Sequence, residues 1–111
     1  MRKANVLYKN EVAGILQQSD AGSFKFRYTN EWFTATNKPA ISLTLPKTQQ
    51  EYKSEHLFPF FYNMLPEGTN KQTVCFLNRI DTKDLFGILI VTAKQDTIGA
   101  VTIKMNQQKA S

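Results

Sequence analysis

The side chains that most often carry out chemistry are few in this chain and stand far apart. Cys75 is the only cysteine and His56 the only histidine. A cysteine nucleophile needs a base beside it, and a zinc site of the Cys/His type needs several such ligands. Neither can be built from one of each, so we predict no catalytic residue, no metal site and no cofactor. Cys75 is then expected to be a small core residue, and His56 a surface residue.

The carboxylates and glycines also lack the spacing of catalytic or phosphate-binding motifs. Asp81 and Asp84 stand where they would cap a helix, whereas Asp20 and Asp96 stand in turns. No pair of glycines has the spacing of a dinucleotide-binding or nucleotide-binding loop. The inventory of reactive residues therefore predicts that the chain is not an enzyme.

Length and composition indicate one globular domain. The chain has 111 residues, of which 41% are hydrophobic and 21% charged, and its formal net charge is +5. Its lysines and arginines are scattered, whereas nucleic-acid-binding surfaces cluster them, so a mildly basic solvated surface is favoured and no direct contact with DNA is expected. An acidic protein partner would suit the same charge. A nucleic-acid-binding module stays the alternative. The lone cysteine and the lack of a signal peptide or long apolar stretch predict a cytoplasmic protein with no membrane contact.

Alternating apolar residues predict an antiparallel meander in the first third of the chain. Residues 4–8 and 12–16 form two strands around a turn at Lys9–Glu11. After a second turn at 19–22, a third strand has one apolar face, made of Phe24, Phe26 and Tyr28.

The middle of the chain is predicted to hold one further strand between two irregular segments. Residues 30–39 have no period, and Trp32 there is expected to cover an edge of the core together with Phe33. Residues 40–46 alternate again, so they predict a strand with three inward side chains, Ile41, Leu43 and Leu45. Residues 47–56 are a polar connection.

The stretch PFFYNMLPEG, residues 59–68, predicts a short helix followed by a corner. Its apolar residues have helical spacing. Pro59 lacks an N–H and fits only the first turn, so the helix begins at about Phe58–Pro59 and ends before Pro66. Leu65–Gly68 fits a type I turn, with proline second and glycine fourth.

Two more helices are predicted after this corner. The first spans about 70–79, with an apolar face made of Val74, Leu77 and Ile80. Asp81 and Thr82 can cap the next helix, which has Asp84 in its first turn and runs to about residue 93.

A turn at 95–97 and a last strand at 98–105 complete an α+β fold. We expect a mostly antiparallel sheet, made of the N-terminal meander and the C-terminal strand, with about three short helices packed on one side. One domain is predicted over residues 1–111, ordered from about 3 to 104 and followed by a polar tail. The predicted core residues are Phe24, Phe26, Ile41, Leu43, Leu45, Phe60, Phe61, Met64, Leu77, Leu85 and Ile103.

The helix-and-corner stretch has more apolar residues than one buried helix face needs. Aromatic residues that reach the surface beside a rigid corner are typical of protein interfaces. We therefore predict a partner-binding surface at and beyond the helix end, made of Tyr62, Leu65, Pro66, Glu67, Gly68, Thr69 and Lys71.

Two long segments resemble a known family. Residues 41–68, ISLTLPKTQQEYKSEHLFPFFYNMLPEG, and residues 80–103, IDTKDLFGILIVTAKQDTIGAVTI, are similar to the N-terminal segment of HipA-type serine/threonine kinases, the toxins of bacterial toxin–antitoxin modules. The front hairpin at 4–16 fits as well, so the resemblance covers about residues 3–104. The motifs of a kinase catalytic loop and metal-binding loop do not occur in this chain.

The resemblance implies a regulatory, antitoxin-like subunit without catalytic activity. Split members of the family encode such a small protein beside a shortened kinase and a helix-turn-helix protein. The implied partners are a HipA-like kinase that lacks its own N-terminal subdomain and a HipB-like helix-turn-helix protein. Several members have a bulky aromatic residue directly after LPEG, where this chain has Thr69. A structural or self-association fragment of a full-length HipA-like kinase is the alternative.

Overall fold

A five-stranded antiparallel sheet forms the centre of the computed structural model, which describes residues 2–92 and 101–105. In chain order its strands are β1 (Arg2–Tyr8), β2 (Glu11–Gln18), β3 (Phe24–Tyr28), β4 (Glu51–Ser54) and β5 (Val101–Met105). They lie side by side as β4-β3-β2-β1-β5. The helices are α1 (Asn30–Thr34), α2 (Pro59–Tyr62), α3 (Gly68–Asn78) and α4 (Leu85–Thr92). The predicted α+β fold is confirmed.

The first hairpin has the tight turn that its sequence predicts. Lys9 and Asn10 both have positive φ, of 51° and 69°, which is the geometry of a two-residue type I′ turn. Further along, the register shifts between Val6 and Leu7, which forms a β-bulge. Gly14 lies beside this bulge, where a β-carbon would stand 2.6 Å from the Phe26 ring, so glycine is required there by close packing.

One apolar core joins the inner face of the sheet to the helices. Its fully buried members include Val6, Leu16, Phe26, Phe61 and Ile103, and Phe86 and Leu89 of α4 join the same cluster. Ring contacts continue from the sheet into α2, where the Phe26 and Phe61 centroids are 5.8 Å apart. Among the predicted core residues, Phe60 and Leu85 are only partly buried.

The strand predicted over residues 40–46 is wrong, because side chains rather than a neighbouring strand bind this segment. The Tyr28 hydroxyl accepts a hydrogen bond from the Ile41 N–H at 3.1 Å and donates to the Leu45 carbonyl. Between them the chain turns, with the Leu45 N–H donating to the Ser42 carbonyl and the Ser42 hydroxyl accepting from the Thr44 N–H. The turn leaves Leu43 98% exposed, so its predicted place in the core is also wrong.

Two more aromatic side chains attach the same loop to the body of the domain. The Trp32 indole N–H donates to the Pro39 carbonyl at 2.8 Å, and the Tyr52 hydroxyl donates to the Pro46 carbonyl at 2.6 Å. The Lys47 ammonium adds donors to the carbonyls of Ala35 and Lys38, each at 2.7 Å. The backbone of a loop without regular structure is therefore satisfied mostly by side chains.

The polar connection predicted at 47–56 contains β4, which forms one edge of the sheet. Lys25 pairs with Lys53, and Arg27 pairs with Glu51. The strand was missed because its residues are polar and because its formation depends on pairing with β3 rather than on a buried face. Outside the pairing, the Gln49 side-chain amide donates to the Glu51 carbonyl at 2.8 Å.

Helix boundaries account for the remaining differences. Residues 30–34 form the short helix α1 rather than an irregular segment, because the Thr29 side chain accepts a hydrogen bond from the Trp32 N–H and caps it. Helix α4 begins at Leu85, since the carboxylate that accepts the Gly87 N–H at 3.1 Å belongs to Asp84 and not to Asp81. The predicted turn at 95–97, the start of the last strand at 98–100 and the tail at 106–111 lie outside the described residues.

Candidate functional site

The residues that the sequence offers for chemistry are placed as structural residues. Cys75 is buried in α3, and His56 is exposed. Within residues 2–92 and 101–105, no group of three or more His, Cys, Asp and Glu side chains could hold a metal ion. Burial raises the pKa of the Tyr28 hydroxyl, and a hydrogen bond from Arg2 lowers the pKa of Asp84. Both groups hold elements of the fold together.

The helix α2 is a single rigid turn that the core holds in place. Its N-cap residue, Phe58, has the extended backbone angles that a following proline favours, and Pro59 occupies the first turn, as predicted. Phe61 is fully buried, and its ring centroid lies 5.2 Å from that of Phe60. Met64 is also buried, just after the helix. The end of α2 therefore has a fixed position on the sheet.

The corner after α2 is extended, so the predicted type I turn is wrong. The third residue of such a turn needs ψ near 0°, whereas Glu67 has a φ of −125° and a ψ of 161°. Gly68 follows with a φ of +60°, in the left-handed region that favours glycine. The chain thus enters α3 through an extended proline–glutamate pair and a left-handed glycine.

The predicted partner-binding residues form this corner, and the structure exposes most of them. Tyr62 is 55% exposed, and the three residues at the start of α3 are exposed as well, namely Glu67, Gly68 and Thr69. The other three are half-buried, namely Leu65, Pro66 and Lys71. The corner therefore exposes a tyrosine ring, a carboxylate and a threonine hydroxyl on a segment whose other side packs against the core.

The outer face of α3 adds two large apolar residues that the sequence analysis did not assign to the surface. Phe76 is 82% exposed and Leu77 is 70% exposed, so the predicted core position of Leu77 is wrong. The helix turns Cys75 inward instead, about 160° around the axis from Leu77, which is nearly half a turn. Phe76 follows Thr69 by seven residues, so both lie on one face of α3, about 10 Å apart along its axis.

A candidate docking surface consists of five exposed residues, namely Tyr62, Glu67, Thr69, Phe76 and Leu77. Large exposed apolar residues that lie near one another are uncommon on a monomeric protein and mark places where another surface binds. A sequence signal existed for Phe76 alone, because it lies off the apolar face that Val74, Leu77 and Ile80 were expected to form.

The model of the HipA N-terminal domain family matches residues 4–104 of this chain. The chain belongs to the HipA N-terminal domain family. A solved structure titled "N-terminal domain of HipA toxin" aligns with a TM-score of 0.71 and 27% identity, covering 98% of this chain and 96% of that one. The resemblance drawn from the two long segments is therefore confirmed.

Two relatives of this HipA N-terminal domain differ greatly in length. An uncharacterized protein of Haemophilus influenzae is 31% identical over 108 residues, which are 97% of this chain and 96% of that protein. A protein of Sinorhizobium fredii named "Putative kinase Y4mE" is 28% identical over 71 residues, which are 64% of this chain and 17% of that protein. Residues 2–92 and 101–105 contain no helix with the length and hydrophobicity of a membrane span.

Proposed function

We propose that this chain is a non-catalytic, antitoxin-like regulatory subunit of a toxin–antitoxin module. It binds and controls a HipA-like serine/threonine kinase that lacks its own N-terminal subdomain, and a HipB-like helix-turn-helix protein is a further partner. The observation that carries the proposal is the pair Phe76 and Leu77, exposed on the helix that follows the corner, in a domain of the HipA N-terminal domain family.

The energetics of the docking surface support such a role. Burying a phenylalanine or leucine side chain contributes about 1.5–3 kcal/mol each, so the pair offers roughly 3–6 kcal/mol before the costs of association. Aromatic anchors near the centre of an interface supply most of its binding energy. Because the core holds α2, the corner loses little conformational freedom when it binds.

The relative with the kinase name supports the same proposal. The similar segment is 17% of that protein, so there a segment of this type is part of a much longer chain. A small domain that docks beside a kinase cleft can block a substrate, a nucleotide or a mobile loop without catalytic groups of its own.

The test is co-purification with a HipA-like kinase that lacks an N-terminal subdomain, followed by titration of the purified pair. We expect Phe76→Ser to weaken binding by about 30-fold, which corresponds to about 2 kcal/mol for a buried aromatic anchor. Glu67→Arg and Thr69→Arg are also expected to weaken it, without unfolding the free domain.

Two matched controls separate docking from general surface effects. Val12→Ser removes an exposed apolar side chain from β2, and Glu31→Arg makes the same charge change on α1 as Glu67→Arg makes at the corner. Both controls are expected to bind the kinase like the wild type. If Phe76→Ser and Glu67→Arg bind as tightly as these controls, this placement of the kinase on α2 and α3 is wrong.

A further inference from the structure

The outer face of the sheet carries a row of lysines that the docking surface does not include. Lys3 of β1 pairs with Gln17, Gln17 pairs with Lys25, and Lys25 pairs with Lys53. Paired residues on neighbouring strands point to the same face, and each strand adds about 4.8 Å, so the row is roughly 14 Å long.

Lys25 and Lys53 form a like-charged cross-strand pair. The Tyr28 N–H donates to the Gln50 carbonyl at 2.9 Å. Because hydrogen-bonded and non-hydrogen-bonded pairs alternate, the lysine pair falls at a non-hydrogen-bonded position, where side chains approach most closely. Like charges directly opposite each other destabilise a sheet. The fold therefore gains nothing from this pair.

Neither lysine is well neutralised by its surroundings. Glu51 lies 3.8 Å from the Lys53 ammonium but is shared with Arg27, at 3.4 Å. Among the residues that the structure describes, no carboxylate lies within ion-pair distance of Lys25, although this side chain is half-buried. A half-buried cation without a counter-charge is a place where an anion binds favourably.

A surface cavity of about 420 Å³ opens at this end of the row. Its polar lining combines two ammonium groups, one carboxylate and several neutral hydrogen-bonding groups, from Lys25, Lys53, Glu55, Gln17, Ser19 and Ser23. The charged members sum to a net charge of +1, since there are two cations and one anion. This net charge of +1 balances one carboxylate, whereas a doubly charged phosphate would leave an uncompensated negative charge beside Glu55.

We propose that this end of the sheet binds an acidic segment of a protein partner. One carboxylate of the segment lies in the cavity between Lys25 and Lys53, and the extended chain runs along the row toward Lys3, a distance that about four or five residues span. Single-stranded nucleic acid needs exposed aromatic rings for stacking, and the only ring in the cavity lining, that of Phe24, is buried. The site is independent of the kinase-docking surface.

The experiment is a fluorescence anisotropy titration of the whole chain with a labelled octapeptide of alternating glutamate and serine. We expect Lys25→Gln and Lys53→Gln each to weaken binding about two- to fivefold, and the double variant about tenfold, with a further loss at high salt. Lys83→Gln, which removes an exposed lysine outside the sheet, is expected to leave the affinity unchanged. Lys25→Gln and Lys53→Gln are each expected to keep or raise the thermal stability of the domain, because each removes the like-charge contact between the two lysines.

Several outcomes would overturn the proposal. The first is an equal loss of affinity in the Lys83→Gln control, and the second is equal binding of a matched peptide of alternating glutamine and serine. The third is tighter binding of a short DNA duplex that depends on the same two lysines, which would assign the row to nucleic acid.

Retained kinase binding by Lys25→Gln would show that the two surfaces act separately.

Discussion

Removing the hydroxyl oxygen of Tyr28 tests whether this hydroxyl holds the loop at residues 35–50 in place. In Tyr28→Phe the ring still fills its place in the core, edge-on to Phe26 at 4.9 Å. The Ile41 N–H and the Leu45 carbonyl lose their partner, and both residues are buried. An unsatisfied buried polar group costs about 1–3 kcal/mol. Allowing for some relaxation of the loop, we expect a loss of about 2–4 kcal/mol of unfolding free energy.

The assay is urea unfolding followed by the fluorescence of Trp32, which is the only tryptophan and is buried. For a domain of this size the predicted loss lowers the melting temperature by about 10–20 °C. Tyr62→Phe makes the same chemical change at an exposed position and is expected to shift stability by less than about 0.5 kcal/mol. If the two variants are equally stable, the Tyr28 hydroxyl does not hold the loop.

The same substitution also predicts a change in pH dependence. Because burial raises the pKa of Tyr28 in the folded state, the unfolded chain loses this proton first, near pH 10. The stability that depends on the neutral hydroxyl is therefore complete below about pH 10 and is lost as the pH rises toward the folded-state pKa. Tyr28→Phe is expected to lose less stability than the wild type between pH 9 and about pH 11, relative to its own value at pH 7. Parallel curves would contradict this.

Three further substitutions test other parts of the fold, each by urea unfolding. Gly14→Ala is expected to cost about 1–3 kcal/mol, because the added β-carbon would stand 2.6 Å from Phe26, and an unchanged midpoint would refute this packing. Arg79→Gly is expected to gain about 0.5–1 kcal/mol, because Arg79 ends α3 with a left-handed φ of 57°; a loss would count against it. Asp84→Ala is expected to cost about 1–2 kcal/mol at pH 7 through its cap on α4 and its bond to Arg2. Since the folded-state pKa of Asp84 is lowered, this difference should shrink as the pH falls below about 4, and a constant difference would contradict it.

The sequence patterns predicted correctly those parts of the fold whose conformation depends on residues nearby in the chain. The alternation in residues 24–28 and the positions of Pro59 and Phe61 each depend on neighbours within a few residues, and the structure keeps them. The loop at 35–50 could not be predicted in this way, since it is fixed by hydroxyl and indole donors that come from Tyr28, Trp32 and Tyr52. No sequence period reports such bonds.

The candidate docking surface was likewise predicted only in part from the sequence. The resemblance and the excess of apolar residues both pointed to the corner at 62–69. The exposed pair on α3 was missed because an amphipathic helix has several possible phases, and packing decided in favour of Cys75. The lysine row could not be predicted, because Lys3, Lys25 and Lys53 are far apart in the sequence. They become neighbours only through the register of the sheet.

The order of the strands has a consequence for the time at which the domain can finish folding. The first strand to leave the ribosome, β1, lies between β2 and β5, and Val6 pairs with Ile103. The hairpins of β1 to β4 can form early, but one side of β1 has no partner until β5, more than 90 residues later, has been synthesised. Contacts that distant in sequence slow folding. During translation, one side of this central strand therefore stays unpaired, and open to other chains, until β5 has been made.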